Sequence, residues 1–505
     1  MLRGSLILCF VVLPACVGRP PSVDDRPLRT LRVAVRADFG DSASLSSLSY
    51  GGGFETKTWL YETLIRRGAD GRILPGLAES WEFDESGADV RLTLRRGAMF
   101  HDGSACDAAA VRDHFERWIH QPEHAWLGAC DVIQRVEAED DRTLRITLSR
   151  PYALLPDLCA TNPCAVLGPG SFDSSGGFLQ PIGTGPFRYR SSGADGRVHS
   201  YERTADGMPL ELLRFGPDES PLEALLQGRL DLLVGGWIER VPRDRIAALE
   251  LDPRFAVRDA AGSSVVYLSF RLQLNAPTAD ASVRRRIAAT IDRHDLCQEV
   301  ELGHADPCHA WGAPTIRTWP RPTHEDETIG TAVDAGERAG APLRLLLEAG
   351  HRTEALGTRL ARQLRSAGFD VAVDRRGRSE MRAAVDAGNF DLRLEETWGL
   401  PYDPILSLRA RFLPPPEAPT ASTFQHTGVD PRLIALIESA SAEPRQSDRE
   451  EIFREIQALL TREALIVPLL VPRRVAVMRR EIEGVRLDPD LYRLDLREVP
   501  GHASR

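Results

Sequence analysis

Apolar and polar residues alternate with period two in LRVAVRA, residues 31–37, which predicts a strand at the start of the folded body. The period then changes. Beyond Asp107, Val111, Phe115, Trp118 and Ile119 recur at helical spacing, with Asp107 as the N-cap. Val283, Ile287 and Ile291 give the same spacing over 282–292, and Leu356, Leu360 and Leu364 give it over 354–367, where Gly368 stops the helix. A further helix over 448–460 starts from the capping box SDRE, Ser447 to Glu450. Strand patterns at 343–347, 369–373 and 391–395 alternate with these helices, so the chain reads as an α/β protein built from βαβ units. One stretch fits neither period: EETWGLPYDP, residues 395–404, sets Trp398 and Tyr402 four residues apart among prolines and acids. It is too rich in proline for a helix and reads as a loop after the strand 391–395.

The chain has 505 residues, enough for two large lobes or about three domains at roughly 150 residues each. A net charge of -10 offers no broad basic face to a phosphate backbone, which argues against nucleic acid as a partner. The N-terminus carries Arg3, an apolar run from Leu6 to Leu13 and small residues around Cys16, the pattern of an export signal over 1–16. LPAC, residues 13–16, resembles a bacterial lipobox, which implies cleavage before Cys16 and lipid on its thiol, with residues 17–27 as a Pro-containing linker. Export makes disulfides chemically open to Cys106, Cys130, Cys159, Cys164, Cys297 and Cys308; Cys159 with Cys164 and Cys297 with Cys308 are the sequence-local pairs. A zinc site at His304, Cys308 and His309 is the rival reading there, but no CxxC pair accompanies it.

Catalytic signatures do not organise this sequence. It contains no GxSxG elbow, no phosphate-binding Gly-x4-Gly-Lys loop, no HExxH and no GxGxxG. PIGTGPFRY, residues 181–189, reads as a turn entering a strand. His114 and His120 lie six apart, on different helix faces, and read as solvated surface histidines. VRRRIA, residues 283–288, reads as a charged helix face. An exported hydrolase stays as the enzymatic alternative, requiring a Ser, His and acid that converge only in space.

Three segments together carry a resemblance: GRILPGLAESWEFDESGADVRLTLRRGAMFHDGSACDAAAV (71–111), PIGTGPFRY (181–189) and ASVRRRIAATIDRHDL (281–296). They resemble the extracytoplasmic solute-binding proteins of peptide and nickel ABC importers, bacterial solute-binding protein family 5, in consistent order along the chain. The resemblance implies a two-lobed periplasmic binding protein fold of type II that closes about a hinge. Lobe 1 would span 28–268, with an inserted subdomain over about 76–180; lobe 2 would span 269–466, and 467–505 would return to lobe 1. The crossings are expected near VVYLSF (265–270) and IVPLLV (466–471). His101 and Asp102, in the recurrent FHDG element, are assigned to the scaffold.

Within the family, TWGLPYDP (397–404) and HAW (124–126) resemble the nickel-binding branch. The resemblance implies ligand contacts at Trp126, Trp398, Tyr402 and Phe54, with Glu123 and Asn162 where nickel members carry arginines. His426 is the approximate substitute for a direct metal ligand, and Arg382 is a possible replacement cation. Leu400 and Pro401 stand where peptide-binding relatives place an anchoring aspartate. The implied protein is a non-enzymatic, monomeric, lipid-tethered periplasmic or cell-surface protein. It would hold no tight cofactor and would deliver a small ligand, a nickel or other metal chelate, to an ABC permease and its ATPase. A short peptide or small organic cation is the alternative ligand.

Overall fold

The computed structural model describes residues 28–34, 45–48, 54–121, 124, 132–216, 219–235, 241–317, 342–413 and 429–501. Three sheets organise it. The first has seven strands in the order Phe255–Ala260, Arg474–Arg479, Leu232–Val234, Leu31–Ala34, Pro209–Leu213, Val198–Arg203 and Phe187–Ser192. Leu31–Ala34 pairs in parallel with both of its neighbours, and the remaining pairs are antiparallel. The second has six strands in the order Ala305–Pro307, Ile466–Pro472, Val266–Phe270, Leu392–Glu396, Leu343–Glu348 and Val371–Arg376. Its βαβ part is parallel, with the helix His351–Ser366 between Leu343–Glu348 and Val371–Arg376. A separate four-stranded antiparallel sheet, Ala78–Phe83 to Thr143–Leu148, carries the helix Ala108–Ile119 on its face.

The patterns explain these elements. Asp107 caps Ala108–Ile119 by accepting from the Ala110 amide, and Val111, Phe115 and Trp118 face the sheet. Leu356, Leu360 and Leu364 are buried on one face of His351–Ser366, and Gly368, at φ 87°, follows in the left-handed conformation that ends a helix. Val266–Phe270 and Ile466–Pro472 are buried at every position, as expected of strands covered on both faces. Both are inner strands of the second sheet, so the chain crosses between lobes at 261–265 and at Arg473. The expected limits at 268 and 466 fall inside that sheet instead, because a continuous apolar run marks a buried strand and not a crossing.

Other expectations are corrected. The helix near 448 is Gln446–Arg462, capped by no side chain, and Ser447 instead turns its hydroxyl to Asp448. Cys106, Cys159 and Cys297 are buried free thiols, so neither local disulfide forms; burial pushes each thiol up to about 12 and keeps it protonated. Cys130 lies outside the described residues. His304 Nδ1 lies 2.7 Å from Asp259, a link between the two sheets. His114 is buried, not solvated: it accepts from the Leu167 amide at 3.3 Å, and burial, reinforced by His124 and Arg117, lowers it to about 3, so it is neutral. His120 is exposed. Arg284, within the expected charged face, is buried and donates to the carbonyls of Thr278, Ala279 and Glu463. PIGTGPFRY does lead into the strand Phe187–Ser192, and His101 ties that turn down through Gly183 and Gly185.

Candidate functional site

The strand Leu392–Glu396 ends beside the first crossing, and the loop 397–403 is fastened there. Thr397 N–H donates to Val265 O and Val265 N–H to Thr397 Oγ1, both at 2.9 Å. Gly399 has φ 62° and lies so close to the crossing that an added Cβ would stand 2.7 Å from Ser263 Oγ and 2.8 Å from Ser264 N; only glycine fits that approach. Ser263 Oγ accepts from the Leu400 amide at 2.9 Å and donates to Pro489 O at 2.6 Å, joining the loop to the returning first-lobe segment. The loop closes at Asp403, whose carboxylate caps the helix Pro404–Phe412 through the Ile405 amide at 2.7 Å. The PYDP end of the stretch is therefore a helix start as well as a turn.

Between those fastenings the aromatics line up. The rings of Trp398 and Tyr402 lie 5.3 Å apart, Tyr402 meets Tyr492 edge-on at 6.1 Å, and Tyr492 meets Phe54 edge-on at 5.5 Å. Trp398 and Tyr402 belong to the second lobe, Tyr492 and Phe54 to the first, so the row crosses from lobe to lobe. Lys57 Nζ stands 5.0 Å from the Phe54 ring centroid at the first-lobe end. Burial, with Tyr492 and Asp490 nearby, raises the Tyr402 hydroxyl well above its usual range, so it stays protonated. Asp490, two residues before Tyr492, is pushed up to about 7 by burial and by Asp488.

The expected site residues divide accordingly. Phe54, Trp398 and Tyr402 come together, and Asn162 sits in the turn Asn162–Cys164 against the helix Phe54–Leu60, its Nδ2 buried without a hydrogen-bond partner among the described residues. Arg382 does not join them: it is exposed on the helix Arg378–Asp386 and pairs with Asp386 at 3.7 Å. Cys16, Glu123, Trp126 and His426 lie outside the described residues. Tyr492, Lys57 and Asp490 were not anticipated. Tyr492 and Asp490 sit in a short irregular segment without periodicity, where nothing in the sequence marks contact with the other lobe's rings.

The acids flanking the rings are each engaged. Glu395 accepts from Arg411 at 2.8 Å and pairs with Arg393 at 2.6 Å; burial raises it, and the two arginines outweigh burial and lower it overall. Glu396 accepts from Arg352 at 3.1 Å and from the Ser264 hydroxyl at 2.5 Å. Arg352 also pairs with Glu301 at 2.5 Å, and Glu301 pairs across the lobes with Arg243 at 3.2 Å. At the far end of the loop, Asp403 lies 3.7 Å from Arg67 of the first lobe, which donates to Asp157 and, at 2.9 Å, to Pro401 O.

Residues 72–416 match the family model of bacterial extracellular solute-binding proteins, family 5 Middle. The chain is 27% identical to the nickel-binding periplasmic protein of Escherichia coli over 466 residues, 86% of this chain and 87% of that protein. It is 23% identical to the glutathione-binding protein GsiB of Salmonella paratyphi A over 462 residues, 85% and 86% of the two chains. In fold it is similar to NikA from Brucella suis, solved with Fe(III)-EDTA, at a TM-score of 0.80, 21% identity and coverage of 93% of this chain and 99% of that one. It is also similar in fold to DppA from Helicobacter pylori, solved with the peptide STSA, at a TM-score of 0.73, 20% identity and coverage of 93% of this chain and 98% of that one.

Proposed function

The chain belongs to the bacterial extracellular solute-binding proteins of family 5, and we propose that its lobes close on a flat, partly apolar metal chelate, nickel wrapped by small organic chelators. Proteins of this family bind solutes for ABC importers and are not enzymes. The observation that carries the chelate reading is the row Trp398, Tyr402, Tyr492 and Phe54, which offers aromatic rings from both lobes. Ring faces give large contact at low entropic cost. Because Glu395, Glu396 and Asp403 are each held by arginines, the loop offers rings and not a set of open carboxylates for a bare ion. The likeness to the E. coli nickel-binding protein supports the same ligand class.

A ligand touching both lobes shifts the balance between open and closed forms by its differential affinity, with no covalent step. The closed complex then hands its ligand to the permease. Phe54, Asn162, Trp398 and Tyr402, with Glu123, Trp126 and His426 from segments outside the described residues, form the proposed contact set. Export and acylation of Cys16 belong to the same proposal, with membrane fractionation of the expressed protein as their check.

Asp490 favours a second reading. A buried carboxyl beside Tyr402 and Tyr492, already pushed to about 7, would ionise readily against an ammonium, which suits a short peptide or organic cation. Calorimetric titration of the metal-stripped protein separates the two. Nickel with excess free histidine should give heat of binding, while nickel alone and a dipeptide mixture should give none. Heat from the dipeptides alone overturns the chelate reading in favour of the cation.

A further inference from the structure

The side chains of Arg67, Asp157 and Asp403 are 2%, 5% and 1% exposed, and they come from both lobes. Arg67 ends the first-lobe strand Ile65–Arg67, Asp157 lies in the first-lobe helix Leu155–Leu158, and Asp403 caps a second-lobe helix. The Arg67 guanidinium also donates to Gly71 O at 2.6 Å and to Pro401 O at 2.9 Å, so it grips the ligand loop itself. One cation thus serves two carboxylates in a site without water access. We infer that the lobes close with uptake of one proton at the Asp157–Asp403 pair, so that an acidic medium favours the closed, ligand-holding state.

Two carboxylates drawn together out of water resist ionising both at once, and a single guanidinium neutralises only one. The remaining charged groups facing the pair are Arg449 on Gln446–Arg462, Arg409 on Pro404–Phe412, and Arg150 ahead of Leu155–Leu158. Arg449 donates to Ala153 O at 3.3 Å and Arg409 to Ser441 Oγ at 3.3 Å, and both are half-buried, which weakens their hold on the pair. Tyr152, pushed to about 12 chiefly by burial, stays neutral. Burial and then Asp157 push Asp403 up to about 7, against the pull of Arg67 and Arg449. Opening carries Asp403 away with the second lobe and returns it to water and to the ordinary carboxylate range. The carboxyl is thus raised in the closed state relative to the open one. The resulting preference for closure is complete below the ordinary carboxylate range and disappears as pH rises through about 7. Between pH 6 and pH 8 closure should weaken about tenfold.

The inference depends on the capture reading only for the premise that the lobes open and close. Its test therefore needs no ligand. The Arg317 amide donates to Asp70 O across the lobes at 2.9 Å, so a protein carrying Asp70→Cys and Arg317→Cys forms a disulfide only when closed. Its cross-linking rate, divided by that of the same protein with Asp403→Asn, should fall about tenfold from pH 6 to pH 8; the division cancels thiol ionisation. Asparagine retains the helix cap. Asp157→Asn, which leaves one carboxylate for Arg67, should flatten the dependence equally and replaces the first variant if that one does not fold. A ratio that is the same at both pH values overturns the inference. Nickel with excess histidine, titrated at both pH values into the wild type and Asp403→Asn, adds a separate readout. Absence of heat beside a falling cross-linking ratio removes the chelate reading and leaves the proton-coupled closure standing.

Discussion

Two of the ion-pair clusters that join the lobes differ in their charge count. Beside the crossings, Arg243 of the first lobe and Arg352 of the second enclose the fully buried Glu301, and Arg352 continues to Glu396, making two cations for two anions. Burial alone would lower Arg352, but Glu301 and Glu396 outweigh it and raise it. At the other end of the loop, Arg67 is the one fully buried cation facing Asp157 and Asp403, with the half-buried Arg449 adding a weaker pull on Asp403. Balanced charge makes the first cluster a fixed joint across neutral pH; unbalanced charge makes the second sensitive to protons. The segment 396–403 spans the two, with Glu396 at the joint, Asp403 at the proton-sensitive end, and Trp398 and Tyr402 between them. A polar, proline-rich stretch can therefore hold two large aromatics because its acids are the anchors of both interfaces.

The largest effect that would break this contrast is at Glu301. Its side chain is completely buried between two guanidinium groups, so Glu301→Gln leaves Arg243 and Arg352 without their shared anion. Removing one partner of such a buried set costs about 3–5 kcal/mol. Denaturant unfolding should show a loss of that size, equal at pH 6 and pH 8. A loss below about 1 kcal/mol would show that the joint is not the fixed element described here.

Residues with a local signal were legible in the sequence, and residues defined by distant partners were not. The strands Leu343–Glu348 and Leu392–Glu396 and the helix His351–Ser366 announce themselves by period, and the loop after Leu392–Glu396 by its composition. Trp398 and Tyr402 were legible because a family resemblance attached to a contiguous motif. Arg67, Asp157 and Asp403 are far apart in the chain, and single charges carry no period, so only the fold brings them together. The burial of His114 did have a signal: it is three residues after Val111 and four before Trp118, on the apolar face that those residues define. The cysteines show the opposite case, because short spacing between Cys159 and Cys164 does not make them face each other.

An intermediate effect tests the aromatic row. Trp398 is half-buried and joined to Tyr402 at 5.3 Å, and Tyr402 is in turn packed on Tyr492. Trp398→Ala removes the half-buried ring at the second-lobe end of the row without changing the acids at either end of the loop. Affinity for nickel with excess histidine should drop by at least about 1 kcal/mol while unfolding stability changes less. Unchanged affinity would remove Trp398 from the contact set and leave its packing role.

The smallest effect belongs to Arg382, the residue whose sequence position suggested a replacement cation. It stands on the helix Arg378–Asp386, more than half exposed, and its partner is Asp386 one turn along the same helix at 3.7 Å. An exposed pair of this kind is screened by solvent and exchanges one hydrated state for another on mutation. Arg382→Ala should therefore change neither ligand affinity nor unfolding stability by more than about 0.5 kcal/mol. Lys57 lies at the first-lobe end of the row, its Nζ 5.0 Å from the Phe54 ring centroid, so changing Lys57 should disturb that end of the row where changing Arg382 should not. Calorimetry with the Arg382 variant decides the matter: a loss of tenfold or more in affinity would mean that the helix Arg378–Asp386 takes part in binding from outside the ring row, which would then be only part of the contact set.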